Sequence, residues 1–174
     1  MKVLIFDTET SGLEPWLHEM LQLAWQVVDT EDWSVQVQHN CYFPLPKDKR
    51  KVSPQAIRVN GLTASVLESK GTMQRAKAIR MFAADMATVD ACAAHNLYFD
   101  KDFVRVKDTK KLVSWPEECI CTMLRTTALC AYLGIGTATI SGRGCPNWLT
   151  SSEWIPPGSN TTMRWRTWRS PGDA

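Results

Sequence analysis

Residues 2–13, KVLIFDTETSGL, decide the fold class of this 174-residue chain. The segment is a short apolar run that turns acidic at Asp7 and ends at Ser11-Gly12, which is typical of a buried strand that enters a turn. Because side chains alternate along a strand, Asp7 and Glu9 are expected to point to the same face.

Two carboxylates held side by side are costly unless a cation lies between them. An isolated pair of this kind is usually an exposed strand end. Asp7 and Glu9, however, directly follow a hydrophobic run, at the end of a strand where α/β folds place their sites. We therefore interpret both side chains as oxygen ligands for a hard divalent cation, Mg²⁺ or Mn²⁺.

The next segments predict a sheet with a helix against it. Residues 20–30 and 34–45 are strand-like and are separated by a polar turn at Glu31-Asp32, so the first three strands are expected to form an antiparallel meander. From Thr72 to Asp90, Ala, Met, Ile and Phe recur at helical spacing, which predicts an amphipathic helix that covers the sheet.

Residues 47–55, KDKRKVSPQ, form a basic segment. A loop with solvated charges is the favoured interpretation, and contact with backbone phosphates is the alternative. The following stretch has a plausible helix cap at Ser53 and a break at Asn60-Gly61.

Residues 91–104, ACAAHNLYFDKDFV, are the second informative stretch. A short apolar strand breaks at His95-Asn96, and a helix is expected to begin near Phe99-Asp100. At a helix start Asp100 gains from the helix dipole and can face the same cation as Asp7. An acid in this position is by itself only a helix cap, and its order after the first motif favours a ligand.

The motifs FDTETSGL, VNGLT and HNLYFD, at residues 6–13, 59–63 and 95–100, resemble the DEDD exonuclease family. In particular they resemble its DEDDh branch, which includes the proofreading epsilon subunit of bacterial DNA polymerase III, oligoribonuclease and RNase T. With the helix expected at 121–129, the resemblance covers residues 1–130. It implies an exonuclease domain with an α/β, RNase H-like fold, in which helices flank a central mixed sheet.

The resemblance also implies a reaction with two divalent ions, Mg²⁺ or Mn²⁺, in which water attacks the terminal phosphodiester and releases a nucleoside monophosphate from the 3′ end. Asp7, Glu9 and Asp100 match three of the family's four metal-binding, catalytic acids. Thr8 matches a position that approaches the terminal nucleotide. Asn60 stands where the family commonly has His near the 3′ end, and is the second substrate-binding candidate.

The family completes its site with a late H-D-A-x-x-D element, whose His is the general base and whose last Asp is the fourth metal ligand. No His follows His95 in this chain, and the only Asp beyond Asp108 is Asp173. His95 itself matches the HN pair before the third acid, for which a structural role is expected. The general base and the fourth acid are therefore missing.

A shifted reading frame supplies the missing element. If each codon takes the third base of the preceding codon and the first two of its own, residues 162–168 can spell H-D-A-M-A-D-V. The same shift permits W-P-R-L-S-E-L at 142–148, similar to the helix that precedes this motif in the family. We hypothesise that the chain from about residue 131 is a frameshifted ending, with the slip between Cys130 and Ser141.

The composition of residues 131–174 agrees with this hypothesis. Of 20 Lys and Arg and 18 Asp and Glu in the chain, only four basic and two acidic residues lie in this tail, so residues 1–130 are neutral and the excess of +2 belongs to the tail. Its Trp/Arg alternation is what shifted GC-rich codons produce. An arm that grips nucleic acid is the alternative. We expect an irregular, poorly ordered tail.

The expected function is a 3′-to-5′ exonuclease of the proofreading or repair type that acts on DNA and is impaired by the missing motif. The alternatives are an exoribonuclease of the same family and a non-catalytic protein that retains nucleic-acid binding. Expected partners are single-stranded 3′ ends and a DNA polymerase. No apolar run is long enough for a membrane span, the six cysteines form no zinc pattern, and a cytoplasmic location is expected.

Overall fold

The computed structural model describes residues 1–132, with side chains up to Thr127, and builds them on a five-stranded sheet. The strands are β1 Lys2–Thr10, β2 Met20–Asp29, β3 Val35–Tyr42, β4 Ala91–Ala94 and β5 Glu118–Cys121. The helices are α1 Pro54–Asn60, α2 Ala64–Lys70, α3 Arg75–Met86, α4 Leu97–Lys107 and α5 Thr122–Tyr132, with a 3₁₀ turn at Lys49–Lys51. The predicted tail, beyond the last turn of α5, lies outside the described residues.

The sheet is mixed, and its strand order is β3-β2-β1-β4-β5. The pairs β1–β2 and β2–β3 are antiparallel, as the meander predicted. The pairs β1–β4 and β4–β5 are parallel, and α4 connects β4 to β5. The strand that carries the first motif therefore lies at the centre of the sheet.

The main core lies on one face of the sheet, under α3 and α4. Phe6 of β1 and Trp25 of β2 are paired across the strands, and the rings of both lie 5.4 Å from that of Phe82 on α3. All three side chains are almost completely buried. Burial of aromatic rings is a dominant source of core stability, so the predicted packing of this helix on the sheet is confirmed.

The helix predicted over 72–90 is shorter in the structure. Met73 precedes α3 and its N–H donates to Tyr42 O at 2.8 Å, which continues the edge of the sheet. After Met86 the chain turns, and Asp90 N donates to Lys2 O at 3.0 Å on entry to β4. Both ends of the predicted helix are therefore used for backbone pairing, which the side-chain periodicity does not report.

The cap at Ser53 is confirmed, because its side chain accepts from Ala56 N at 3.5 Å and α1 starts at Pro54. Gly61 ends α1 with φ of 68°, a left-handed conformation that glycine adopts without strain. The sequence did not predict α2 or β5. None of the helices in residues 1–132 is long and apolar enough to cross a membrane.

Glu19, the residue before β2, contacts three other parts of the chain. Its carboxylate lies 3.3 Å from Lys51 Nζ, 3.1 Å from Arg75 Nη1 and 3.2 Å from Lys107 Nζ. Its side chain is only 15% exposed, and although burial raises its pKa, Arg75 and Lys107 lower the pKa below its usual value on balance. This carboxylate therefore ties the 3₁₀ turn, α3 and α4 to the sheet.

Replacement of Glu19 by Gln is expected to lower the free energy of unfolding by about 2 kcal/mol, because three cations lose a partly buried partner. Since the folded-state pKa is lowered, the contribution is present above the unfolded pKa and is lost as the pH falls through the folded value. Urea denaturation near neutral pH measures the loss. Glu31→Gln, at an 84% exposed side chain, is the control, and equal stability of the two variants would contradict the prediction.

Candidate active site

The candidate site lies at the carboxyl end of β1. Ile5, Asp7 and Glu9 share one face and are half-buried, whereas Phe6 and Thr8 lie buried on the other face. The predicted common face of Asp7 and Glu9 is therefore confirmed. Alternation along one strand brings two carboxylates together with no help from the rest of the chain.

Asp100 reaches the same strand from the first turn of α4. Strand β4 pairs with β1 only as far as Ile5, which leaves the next stretch of that edge available to a side chain. Asp100 Oδ1 accepts from Thr8 N at 2.9 Å and from Thr8 Oγ1 at 2.7 Å. These two bonds fix the carboxylate of a residue that is 92 positions away in sequence.

The cap interpretation of Asp100 is wrong. Helix α4 begins at Leu97, two residues earlier than predicted, and Asn96 occupies the cap position. Asn96 O accepts from Phe99 N at 2.9 Å and from Asp100 N at 3.3 Å. The Asp100 side chain is thereby free to point at β1, and it is 3% exposed.

Asn60, the last residue of α1, also meets the end of β1. Its Nδ2 donates to Thr10 O at 2.9 Å, and its Oδ1 accepts from Leu62 N at 3.0 Å. A hydrogen bond from the Asn60 amide to Glu9 partly opposes the rise in the Glu9 pKa that burial causes. The structure thus brings all five predicted site residues, Asp7, Thr8, Glu9, Asn60 and Asp100, to one end of the sheet.

The three acids raise one another's cost of ionisation. Burial raises the pKa of Asp7 to about 6. Burial and the nearby Asp7 raise the pKa of Asp100 to about 7, against the opposing bonds from Thr8. Burial, then Asp7 and Asp100, raise the pKa of Glu9 to about 8. The carboxylates are therefore close enough to repel one another in a partly dry setting.

This donor set fits a divalent cation. No salt bridge within residues 1–132 involves Asp7, Glu9 or Asp100, and carboxylate oxygens are the ligands that Mg²⁺ and Mn²⁺ prefer. In the same part of the chain, no group of three or more His, Cys, Asp or Glu side chains is already arranged to hold a metal ion, so the fit rests on the chemistry of the three acids and not on a preformed set of ligands. The acids form an incomplete shell, which suits a metal that takes further ligands from water and phosphate.

His95 lies at the junction of β4 and α5. Its Nδ1 lies 3.1 Å from Thr122 Oγ1, and its carbonyl oxygen accepts from Met123 N at 3.0 Å. These contacts attach the start of α5 to the sheet. The shifted-frame segment at residues 162–168 lies outside the described residues.

The β1–β2 loop, residues 11–19, was not singled out by the sequence analysis. It leaves the strand directly after Glu9 and Thr10 and carries the exposed side chain of Trp16. Ser11 and Glu19, the two ends of the loop, form its neck, where Ser11 N donates to Glu19 O at 2.8 Å. A Trp that closely follows the acidic motif was the sequence signal available for this loop.

The chain belongs to a family of exonucleases. The family model RNase_T, described as Exonuclease, matches residues 4–141, which confirms the membership predicted from the motifs. No curated protein matches the chain. Members of this family are nucleases that generally use two divalent metal ions.

Solved structures of exonuclease I have the same fold. Escherichia coli exonuclease I with a dT13 oligonucleotide is 19% identical, with a TM-score of 0.61 over 75% of this chain and 29% of that chain. The zinc-bound form of its complex with single-stranded DNA is 22% identical, with a TM-score of 0.62 over 76% and 30%. An exonuclease I complex with the SSB C-terminus is 21% identical, with a TM-score of 0.62 over 76% of this chain and 30% of that chain.

This chain therefore spans about 30% of the length of the exonuclease I chains that it matches. The mixed sheet with flanking helices is the RNase H-like exonuclease fold of those structures. The predicted fold class is confirmed, and the nearer relation to the polymerase III epsilon subunit stays a prediction.

Proposed function

We propose that this chain is a cytoplasmic, metal-dependent 3′-to-5′ exonuclease domain for single-stranded DNA ends, of the proofreading or repair type, with weak activity as it stands. The observation that carries the proposal is the trio Asp7, Glu9 and Asp100. Asp100 is buried and Asp7 and Glu9 are half-buried, their pKa values are raised, and none of the three has a cationic partner in the described residues of this member of an exonuclease family. Such an arrangement of acids lowers the stability of the fold, but it provides negative charge that a metal ion can bind.

In the proposed reaction Asp7 and Glu9 would hold Mg²⁺ or Mn²⁺ from one face of β1, and Asp100 would hold it from α4. A pair of bound ions would supply activation of the attacking water and stabilisation of the leaving 3′ oxygen. Thr8 orients the Asp100 carboxylate through the two hydrogen bonds given above. Burial of the acids keeps the site partly dry, which strengthens their pull on a cation.

Thr8 and Asn60 are proposed to meet the terminal nucleotide at the same edge. The Thr8 hydroxyl and the Thr8 N–H both already donate to Asp100, so its contact with substrate would come from its methyl group. Asn60 donates to Thr10 O and thereby holds α1 against the strand end. Both residues therefore position other parts of the site, and we propose that they also contact the substrate.

Weak activity is proposed because no His follows His95 and no Asp lies between Asp108 and Asp173. Loss of a general base costs a reaction roughly 10²- to 10⁴-fold. The same absence favours a second candidate, a non-catalytic protein that binds single-stranded nucleic acid through the retained fold. In either case a DNA polymerase is the candidate protein partner.

The test is digestion of a 5′-labelled single strand by the full chain with Mg²⁺. The proposal expects slow shortening from the 3′ end in steps of one nucleotide, loss of shortening with EDTA, and at least a hundredfold slower reaction in Asp7→Asn. Glu31→Gln, far from the site, is the matched control. Parallel DNA and RNA strands decide between the two substrate classes.

Equal digestion by Asp7→Asn and the unchanged chain would contradict the proposal, because the chemistry would then not depend on the trio. Binding of the strand without any shortening would support the non-catalytic candidate. Loss of both binding and digestion would remove both candidates.

A further inference from the structure

The β1–β2 loop displays large apolar side chains beside the candidate site. Leu13 is 77% exposed, Trp16 is 76% exposed and Leu17 is 39% exposed. The neck of the loop adjoins Thr10, one residue after Glu9. Exposed apolar side chains that cluster on one segment mark an interaction surface more often than scattered ones do.

The loop holds its shape without a ligand. Glu19 N donates to Ser11 Oγ at 2.9 Å, and both Leu17 N and His18 N donate to Glu14 O, at 3.1 and 2.8 Å. The His18 ring lies against Gly12, where a Cβ would come within 2.1 Å of its Cδ2. Because the loop is already ordered, little conformational entropy is lost when Trp16 binds a partner.

A cationic segment is hydrogen-bonded to the same neck. Ser53 N donates to Ser11 O at 2.7 Å, and Ser11 Oγ donates to Lys51 O. Residues 47–51, KDKRK, therefore lie next to the loop. Within this segment Arg50 is paired with Asp48 and Lys51 with Glu19.

The two remaining cations of the segment are available to an anion. Lys47 and Lys49 are exposed, and no carboxylate in residues 1–132 lies within salt-bridge distance of either. Exposed lysines on a segment that is hydrogen-bonded to the base of a loop with an exposed aromatic ring match the composition that binds single strands, with bases stacked on rings and phosphates on lysines.

We propose that Trp16, with Leu17 beside it, is a stacking platform for bases of single-stranded nucleic acid upstream of the 3′-terminal nucleotide. Lys47 and Lys49 contact phosphates of the same strand. This inference rests on the proposed function for the position of the 3′ end, and it adds a binding site beyond the metal-binding acids. The shared chemistry is a single-stranded polynucleotide, either DNA or RNA.

The test compares binding of two strand lengths by anisotropy of a 5′-labelled oligothymidylate, in Ca²⁺ with strand length checked on a gel. Trp16→Ala in the full chain is expected to weaken octanucleotide binding about tenfold and to leave dinucleotide binding within about twofold. Trp33→Ala is the control, because Trp33 is 54% exposed in the β2–β3 turn at the opposite end of β2.

Lysine contacts are tested by salt. Lys49→Ala is expected to reduce the slope of log affinity against log salt by about 0.7, and Lys2→Ala, at the opposite end of β1, is expected to leave it unchanged. The same measurements with oligouridylate decide between DNA and RNA.

Three outcomes overturn the inference. Equal octanucleotide affinity of Trp16→Ala and Trp33→Ala would show that Trp16 stacks on no base, as expected if the loop serves a protein partner instead. An equal loss for both strand lengths would show a general defect rather than an upstream platform. If the unchanged chain binds neither strand, the proposed function fails as well. If digestion depends on Asp7 but Trp16→Ala does not change octanucleotide binding, only the stacking platform is refuted.

Discussion

Insertion of one nucleotide between codons 130 and 141 is expected to raise the rate of 3′-nucleotide release by at least a hundredfold. The change converts the codons of residues 162–168 to the frame that can spell H-D-A-M-A-D-V. The restored His supplies a general base for the attacking water. The restored Asp supplies a fourth carboxylate to the three that Asp7, Glu9 and Asp100 provide.

The physical reason for so large an effect is that the two missing groups act on one transition state. Asp7, Glu9 and Asp100 can attract a cation alone, but an ion with too few fixed ligands is free to shift, and misplacement of reacting atoms by about 1 Å costs about a hundredfold. A positioned base adds a further 10²- to 10⁴-fold or so.

The nucleotide sequence of codons 130–174 comes first, because it shows whether the shifted frame is open and spells the element. The rates of the two full-length products are then compared on the same labelled strand. A restored product in which the new His is replaced by Ala is the matched control, and it should fall back towards the unchanged chain. A closed shifted frame would contradict the hypothesis and return the tail to the nucleic-acid arm interpretation.

The local part of the site was predictable from sequence because it depends on one strand. Alternation alone places Asp7 and Glu9 on one face, and an apolar run before them predicts the buried strand. The contact between Thr8 and Asp100 was not predictable in this way. It depends on β4 ending its pairing at Ile5, which is a property of two strands distant in the chain.

Two other features could not be predicted from the sequence for similar reasons. The start of α4 at Leu97 depends on backbone bonds to Asn96 O, and the exposure of Trp16 depends on how Ser11 and Glu19 close the loop. Residue type predicts a side chain's chemistry, whereas burial and orientation depend on partners that only the folded chain supplies. The resemblance to a known family carried the assignment of Asp100, which position alone would have given to a cap.

Replacement of Asp100 by Asn is expected to stabilise the metal-free protein and to abolish metal binding at the proposed site. Asn keeps an Oδ1 that accepts from Thr8 N and Thr8 Oγ1, but it carries no charge into a site that is 3% exposed. The Asp100 pKa is raised to about 7 in the folded protein, and each pKa unit corresponds to about 1.4 kcal/mol. At about pH 8.5 the variant should therefore melt about 5–10 °C higher in EDTA.

The stability of the metal-free protein is expected to fall as the pH rises. Because the folded-state pKa of Asp100 lies above its unfolded value, its contribution to stability is fully present below the ordinary pKa of 3.8 and is lost as the pH rises through about 7. Asp7 and Glu9, with pKa values of about 6 and about 8, act in the same direction. The metal-free parent should lose stability from about pH 5.5 to about pH 8.5, and Asp100→Asn should lose less.

With Mg²⁺ at high pH the parent should be more stable than Asp100→Asn, the reverse of the order in EDTA. The reason is that a cation binds the ionised carboxylates and adds its binding free energy to that of folding. The parent is expected to gain thermal stability from Mg²⁺ at about pH 8.5 and little at about pH 5.5, whereas Asp100→Asn gains little at either. In the frame-restored product the same variant should digest the strand at least a hundredfold more slowly. Thermal melting at both pH values, with Mg²⁺ or EDTA, measures the stability changes.

Asp102→Asn is the matched control, since Asp102 is an exposed residue of the same helix. If Asp100→Asn melts below the parent in EDTA at high pH, the buried charge is compensated by a partner and the site does not need a cation. If it keeps the full response to Mg²⁺, the ion binds elsewhere. A stability gain coupled to loss of the metal response is the signature of a carboxylate that is retained for chemistry at a cost to the fold.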